Sequence, residues 1–187
     1  MAAMPGPVWT AFRAIHGNLP AAAQLKIFNA HQDATVTAMA ELILPQTETP
    51  GAKAARVNEF IDLIVAEWYE EEERGAFLAG LAEVDARTQR LFGQDFIDAA
   101  AEQQADILRG MGDELAEAMA ALETAPRGYR GSKPEPEGNF YLMLRDLALT
   151  GYFTSEIGAT QQLHEEIIPG HYDGCVPFAG DGQGKGR

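Results

Sequence analysis

The sequence predicts an all-α protein, a small irregular bundle of five to six helices with an extended N-terminal arm and a C-terminal loop segment. Apolar residues recur every three to four positions over several long stretches, which is the helical period, and we find no period-two alternation typical of strands. Clusters of Pro and Gly separate these stretches. A chain of 187 residues is long enough for one domain with a core. We divide it into an arm (1–32), a helical domain (33–175) and a flexible tail (176–187).

The arm contains helix-breaking residues throughout, so it is expected to lie on a surface with at most a short helix between Val8 and Ile15. The first helix of the domain follows Asp33 and carries one apolar stripe at helical spacing. Pro45 ends this helix, and Pro50 with Gly51 marks a turn in the loop that follows. The stripe consists of Val36, Met39, Ala40, Ile43 and Leu44.

The second and third helices have the clearest patterns. The acidic run from Glu70 to Glu73 suits the start of the third helix, where carboxylates interact favourably with the helix dipole, and Gly93 is expected as its left-handed cap. Both helices are predicted to bury one apolar face. These faces are Val57, Phe60, Ile61, Ile64, Val65 and Trp68 in the second helix, and Phe77, Leu81, Val84 and Leu91 in the third.

A short turn at Phe96 and Ile97 is predicted to precede a long fourth helix that ends near Leu122. The connection from Thr124 to Asn139 is rich in Pro, Gly and charge, and is long enough to cover a partner. Asn139 is a favourable N-cap for the last helix. The inward residues of that helix are expected to be Phe140, Tyr141, Leu144, Leu147 and Ala148.

The charge balance argues against nucleic acid as a partner. The 14 Lys and Arg stand against 28 Asp and Glu, so the formal net charge of -14 repels phosphate backbones and anionic membrane surfaces. No apolar run is long enough to span a bilayer, and the first residues lack the charged and apolar regions of a secretory signal. We therefore expect neither nucleic-acid binding nor a membrane span.

The C-terminal segment holds the densest group of potential metal ligands and nucleophiles. His164, Glu165, His171 and Cys175 fall within a dozen residues, but Pro169 and Gly170 break the helical register that would point two His side chains at one metal ion. We assign no catalytic, metal-binding or cofactor-binding residue to this chain. A stand-alone metal-dependent helical enzyme using His164, Glu165 and His171 remains the alternative. Cys175 is either a free thiol in a reducing compartment or, in an oxidising one, a cysteine that pairs with another chain.

Four sequence blocks in a fixed order carry a resemblance to a known family. They are "ELILPQTETPGAKAARVNEFID", "FLAGLAEVDARTQRLFGQDF", "FYLMLRDLALTGYFTSEIG" and "PGHYDGC". Their order and spacing resemble the gluconate 2-dehydrogenase subunit 3 family, the small subunit of membrane-linked or periplasmic FAD-dependent sugar dehydrogenases. The resemblance spans Asp33 to Cys175, and its most specific feature is the Ile-Leu-Pro and Pro-Gly-Ala pair combined with the Gly-Tyr-Phe-Thr-Ser turn.

The resemblance implies a non-catalytic partner in a heteromeric enzyme. In the family, a large subunit of the glucose-methanol-choline oxidoreductase type holds FAD and oxidises a sugar hydroxyl, and a cytochrome c or a soluble acceptor takes the electrons. The small subunit serves folding, stability and export of the flavin subunit to the periplasm, usually through a twin-arginine signal. Arg13 stands alone here, so we expect that such a signal has been removed or that another subunit drives export. The alternative to a permanent subunit is a transient adaptor or chaperone that releases its client.

The resemblance also suggests which residues bind the partner: Gly151, Tyr152, Phe153, Thr154, Ser155, Gly158 and Cys175. Gly151 is expected to close the last helix, and Tyr152 and Phe153 to be rigid aromatic anchors of the kind found at interface centres. Thr154 and Ser155 are expected to cap the next turn. Alternatively, Tyr152 and Phe153 only fill the core of this domain. In a periplasm, Cys175 is predicted to form a disulfide with the flavin subunit.

Overall fold

The computed structural model describes residues 25–122, 136 and 138–163, and five α-helices account for most of these residues. No strand occurs in the described ranges, which confirms the all-α prediction. A 3₁₀ turn at Phe96–Asp98 separates α3 from α4, and a π-helical turn at Gly158–Gln162 follows α5. The α-helices are α1 (Ala30–Ile43), α2 (Val57–Glu67), α3 (Glu71–Phe92), α4 (Ala101–Leu122) and α5 (Phe140–Phe153).

The helix ends follow from local side-chain chemistry. The Asn29 side chain accepts a hydrogen bond from the backbone N–H of Gln32, whose own side chain accepts from the Asn29 N–H, which is a reciprocal capping box at the start of α1. Asn139 caps α5 by accepting from the Leu142 N–H at 2.9 Å. Gly93 ends α3 with a left-handed φ of 74°, as predicted.

The core lies where α1 and α5 meet the other helices, because each of these two helices contacts all the remaining α-helices. Phe77 lies at its centre, with its ring stacked on Phe28 at 6.0 Å and edge-on to Phe140 at 5.1 Å. Such aromatic pairs stabilise a core beyond their buried area. The largest fully buried side chains are Phe77, Phe96, Met39, Ile61, Leu81 and Leu144.

A buried carboxylate holds the segment before α1 against α2. Asp62 accepts backbone hydrogen bonds from Lys26 at 2.6 Å, Ile27 at 3.0 Å and Phe28 at 2.8 Å. These charge-assisted bonds satisfy a group that would otherwise be costly to bury. They also position Phe28 for its stacking contact in the core, so the packed structure includes residues ahead of α1.

Two residues predicted to face inward are instead exposed. Trp68, the C-cap residue of α2, is 52% exposed, and Leu91, in the last turn of α3, is 63% exposed. The helical period identifies which face of a helix is apolar, but it does not show how far along the helix a neighbour covers that face. Both residues lie at helix ends, and none of the residues that the structure describes covers them there.

None of the described helices is long and apolar enough to cross a bilayer. Several expectations fall on residues outside the described ranges. These are the short helix between Val8 and Ile15, most of the connection from Thr124 to Asn139, and the tail from 176 to 187.

Candidate functional site: a surface built by two distant segments

The predicted partner-binding turn begins inside α5 rather than after it. The helix continues through Gly151 to Phe153, so the expectation that Gly151 closes the helix is wrong. A Cβ at Gly151 would lie 2.7 Å from Cδ1 of Phe60 on α2. Gly151 is therefore needed because α2 and α5 approach each other closely, and not because the helix ends there.

Tyr152 joins the turn to a loop far away in the sequence. Its ring is buried, and its hydroxyl donates a hydrogen bond to the carbonyl of Pro50 at 2.6 Å, across 102 sequence positions. Tyr152 thus fills the domain core with its ring and fixes the loop between α1 and α2 with its hydroxyl.

The residues after α5 form a tight turn around Ser155. The Ser155 hydroxyl donates to the Tyr152 carbonyl at 2.6 Å and accepts from the Gly158 N–H at 3.0 Å. This agrees with the expectation that Ser155 caps the next turn, whereas the Thr154 hydroxyl donates back to the Thr150 carbonyl at 2.6 Å. A Cβ at Gly158 would overlap the Tyr152 carbonyl oxygen, so only glycine fits there.

The loop between α1 and α2 is held from its other side by Glu41. The Glu41 carboxylate accepts from the backbone N–H of Gln46 and of Lys53, both at 2.8 Å. A Cβ at Gly51 would collide with this carboxylate and with the Gln46 backbone nitrogen, which explains the glycine of the Pro-Gly pair. Sequence reasoning missed this role, because Glu41 appears there as an ordinary polar residue on an amphipathic helix.

The loop and the turn together enclose a shallow groove of about 220 Å³, which we call the loop-turn surface. Tyr152 lines it, and the Thr49 hydroxyl donates a hydrogen bond of 2.6 Å to the Gln162 side chain, which joins the loop to the turn. Phe153 is 37% exposed at the groove, and Leu163, next to Gln162 in the chain, is 51% exposed. No charged side chain lines it among the described residues. The lining consists of Leu44, Pro45, Thr47, Thr49, Tyr152, Phe153 and Gln162.

The structure therefore separates the predicted partner-binding residues into two groups. Phe153 and Thr154 are exposed, whereas Gly151, Tyr152, Ser155 and Gly158 are buried and hold the turn in shape. Cys175 lies outside the described residues, as do His164, Glu165 and His171. A partner at this surface would contact Phe153 directly and Tyr152 only along its edge; the partner-binding role of these residues stays a prediction.

A histidine–aspartate pair lies at the start of α1. His31 Nε2 is 2.7 Å from Asp85 Oδ2, and Asp85 Oδ1 accepts from the Phe96 N–H at 3.0 Å. The hydrogen bond that His31 makes to the Asp85 carboxylate raises the pKa of His31 above its usual 6.5 despite partial burial, and the negative charges of Asp85, Asp95 and Asp98 add to this effect. The pair links α1, α3 and the 3₁₀ turn, so its contribution is to stability. Within the described ranges, no group of three or more His, Cys, Asp or Glu is placed to hold a metal ion.

The family model described as gluconate 2-dehydrogenase subunit 3 matches residues 30–170, which include all five α-helices and both segments of the loop-turn surface. Neither the curated proteins nor the solved structures include a significant match.

Proposed function

This chain belongs to the gluconate 2-dehydrogenase subunit 3 family, and on that premise we propose that it is the non-catalytic small subunit of a heteromeric FAD-dependent sugar dehydrogenase. The catalytic subunit, of the glucose-methanol-choline type, binds FAD and oxidises a sugar hydroxyl. A cytochrome c or a soluble acceptor receives the electrons. The small subunit supports folding, stability and export of its partner, and the complex works in the periplasm.

The family match over residues 30–170 is the observation that carries this proposal. The loop-turn surface supports it by offering a docking area. An exposed aromatic ring at Phe153, next to a groove without charged side chains, has the composition found at the centre of protein interfaces. The hydrogen bonds of Tyr152, Ser155 and Glu41 fix the surface before a partner arrives, which lowers the entropic cost of binding.

Co-expression with the flavin subunit tests the proposal. We expect a tag on this chain to recover a yellow complex with flavin absorption bands and a second chain at about equal stoichiometry. Dye reduction that depends on an added sugar would then identify the substrate. A colourless, monodisperse single chain, obtained while the flavin subunit is present and soluble in the same cells, would contradict the proposal.

A further inference from the structure

The described part of the chain begins beside the corner of the domain where α2 ends and α3 starts. The Lys26 ammonium pairs with the Glu67 carboxylate in the last turn of α2. The rings of Phe28 and Tyr69 both pack against Phe77 of α3, with centroid separations of 6.0 and 6.3 Å. Residues 1–24 therefore join the domain next to this corner.

The surface of this corner combines one large apolar side chain with several carboxylates. Trp68 is 52% exposed, although its spacing predicts an inward position. The carboxylates of Glu71 and Glu72 are exposed, and no group in the described ranges forms a hydrogen bond or an ion pair with them. We call this surface the α2–α3 corner, and it consists of Glu67, Trp68, Glu70, Glu71, Glu72 and Glu73.

Residues 1–24, which form most of the arm, have a composition that complements this corner. All 28 Asp and Glu of the chain lie after residue 24, and Arg13 is the only Lys or Arg before it. Val8, Phe12 and Ile15 recur at the i, i+4 and i+7 positions, so the short helix predicted there has one apolar face. A helix of that length is marginal in water by itself, because nucleation is costly, and it gains stability by packing its apolar face on a surface.

Position and charge favour the α2–α3 corner over the other exposed apolar side chains of the described residues. Leu91 lies at the opposite end of α3, a helix of 22 residues that is about 33 Å long. Phe153 and Leu163 lie at the loop-turn surface or next to it, and no charged side chain lines that surface among the described residues. Ile15 lies ten positions before the first described residue, a span of at most about 35 Å, so the apolar face of the arm can reach the corner. A tether of this length also keeps the effective concentration of the arm high there.

We propose that the arm of this same chain docks on the α2–α3 corner. Phe12 and Ile15 cover the indole of Trp68. Arg13 pairs with the carboxylates of Glu71 and Glu72. The corner is closed to other proteins while the arm is docked. This inference does not depend on the proposed function, because both sides of the contact belong to this chain.

Acrylamide quenching of Trp68 fluorescence in the full chain tests the apolar part of the contact. The chain has two tryptophans, so Trp9→Phe leaves Trp68 as the only one and keeps an aromatic ring in the arm. In that background, Phe12→Asp is expected to raise the quenching constant by about twofold or more, because quenching follows the indole surface that is open to solvent. Phe178→Asp is the matched control, since it makes the same substitution in the C-terminal tail.

A charge-reversal series tests the ion pairs separately. Arg13→Glu is expected to raise the quenching constant by about 1.5-fold or more at low salt, and by less at high salt. Adding Glu71→Arg and Glu72→Arg to that variant is expected to return the constant to its starting value. Such a rescue would not occur if Arg13→Glu acted only on the stability of the arm itself.

Amide hydrogen exchange gives a second measurement that leaves Trp9 in place. Residues 67–73 are expected to exchange faster in Phe12→Asp than in the wild type, because the docked arm shields them. Circular dichroism checks that each variant keeps its helices.

Four results would overturn the inference. If Phe12→Asp changes neither the quenching constant nor the exchange of residues 67–73, the arm does not cover the corner. If Phe178→Asp exposes Trp68 as much as Phe12→Asp does, the C-terminal tail is the occupant. Protection of Trp68 that appears only at high protein concentration would assign the corner to a second copy of the chain. Protection that appears only after the flavin subunit is added would assign it to that partner.

Discussion

The hydrogen bond from Tyr152 to Pro50 allows a direct test of how the loop-turn surface is held together. Tyr152→Phe keeps the buried ring and removes only the hydroxyl, which donates to the Pro50 carbonyl at 2.6 Å. A neutral hydrogen bond contributes about 1 kcal/mol net, and a carbonyl left without its partner adds a desolvation cost when it is partly buried. Since Pro50 is half-buried, we expect the free energy of unfolding to fall by about 1 to 2 kcal/mol.

Urea denaturation followed by circular dichroism measures this change, with an unchanged m-value indicating that the unfolding transition keeps its cooperativity. Tyr141→Phe is the matched control, because the structure assigns the Tyr141 hydroxyl no hydrogen bond to any of the residues it describes. The control is expected to change stability by less than about 0.5 kcal/mol. If Tyr152→Phe is no more destabilising than Tyr141→Phe, the loop is not held by this bond.

Three further substitutions test other parts of the account. Gly151→Ala places a Cβ 2.7 Å from the Phe60 ring and is expected to lower the free energy of unfolding by about 1 to 3 kcal/mol, measured by thermal or urea denaturation. Gly75→Ala is the control, because Gly75 has open space around it, and it is expected to stabilise α3 by up to about 1 kcal/mol. Equal effects of the two substitutions would contradict the close approach of α2 and α5. Asp62→Asn weakens the hydrogen bonds that hold residues 26–28 and is expected to lower the free energy of unfolding by about 3 kcal/mol, measured by denaturation. The amide hydrogens of residues 26–28 are expected to exchange faster, and unchanged exchange would refute the anchoring role. His31→Gln tests the histidine–aspartate pair. Because the folded state raises the pKa of His31, the wild type is expected to be more stable than the variant by its full margin below about pH 6.5. That margin is expected to be lost as the pH rises through the raised pKa. With His31 partly exposed, that advantage is below about 1 kcal/mol, and an advantage that grows with pH would contradict the assignment.

The helices were predictable because their signals are local. Asn139, Gly93 and Pro45 each act within one turn of the residue that starts or ends a helix, so the sequence alone indicates those boundaries. Gly151 shows the limit of such signals. A glycine near the end of an apolar stripe indicates a helix end as readily as a close contact with another helix, and only the position of Phe60 distinguishes the two.

The candidate site was predictable in part. The sequence indicates the aromatic and hydroxyl turn and combines the Pro-Gly loop with the Gly-Tyr-Phe-Thr-Ser turn as the most specific feature of the family resemblance. The hydrogen bonds that join them, from Tyr152 to Pro50 and from Thr49 to Gln162, span 102 and 113 positions and have no local signal. The roles of Asp62 and Glu41 could not be predicted for the same reason. Their carboxylates accept hydrogen bonds from backbone N–H groups of other segments, and helical periodicity does not indicate which segments lie close together.

The most direct test of the central claim is the affinity of the flavin subunit for the Phe153→Ala variant. Phe153 is the exposed aromatic residue of the loop-turn surface, and Leu91→Ala is the matched control, since Leu91 is an exposed apolar residue on α3 that does not line that surface. Truncation of a central aromatic anchor typically costs about 2 kcal/mol or more of binding free energy. We therefore expect the dissociation constant to rise by about 30-fold for Phe153→Ala and by less than about twofold for Leu91→Ala. Equal affinities for the two variants and the wild type would contradict docking through the loop-turn surface.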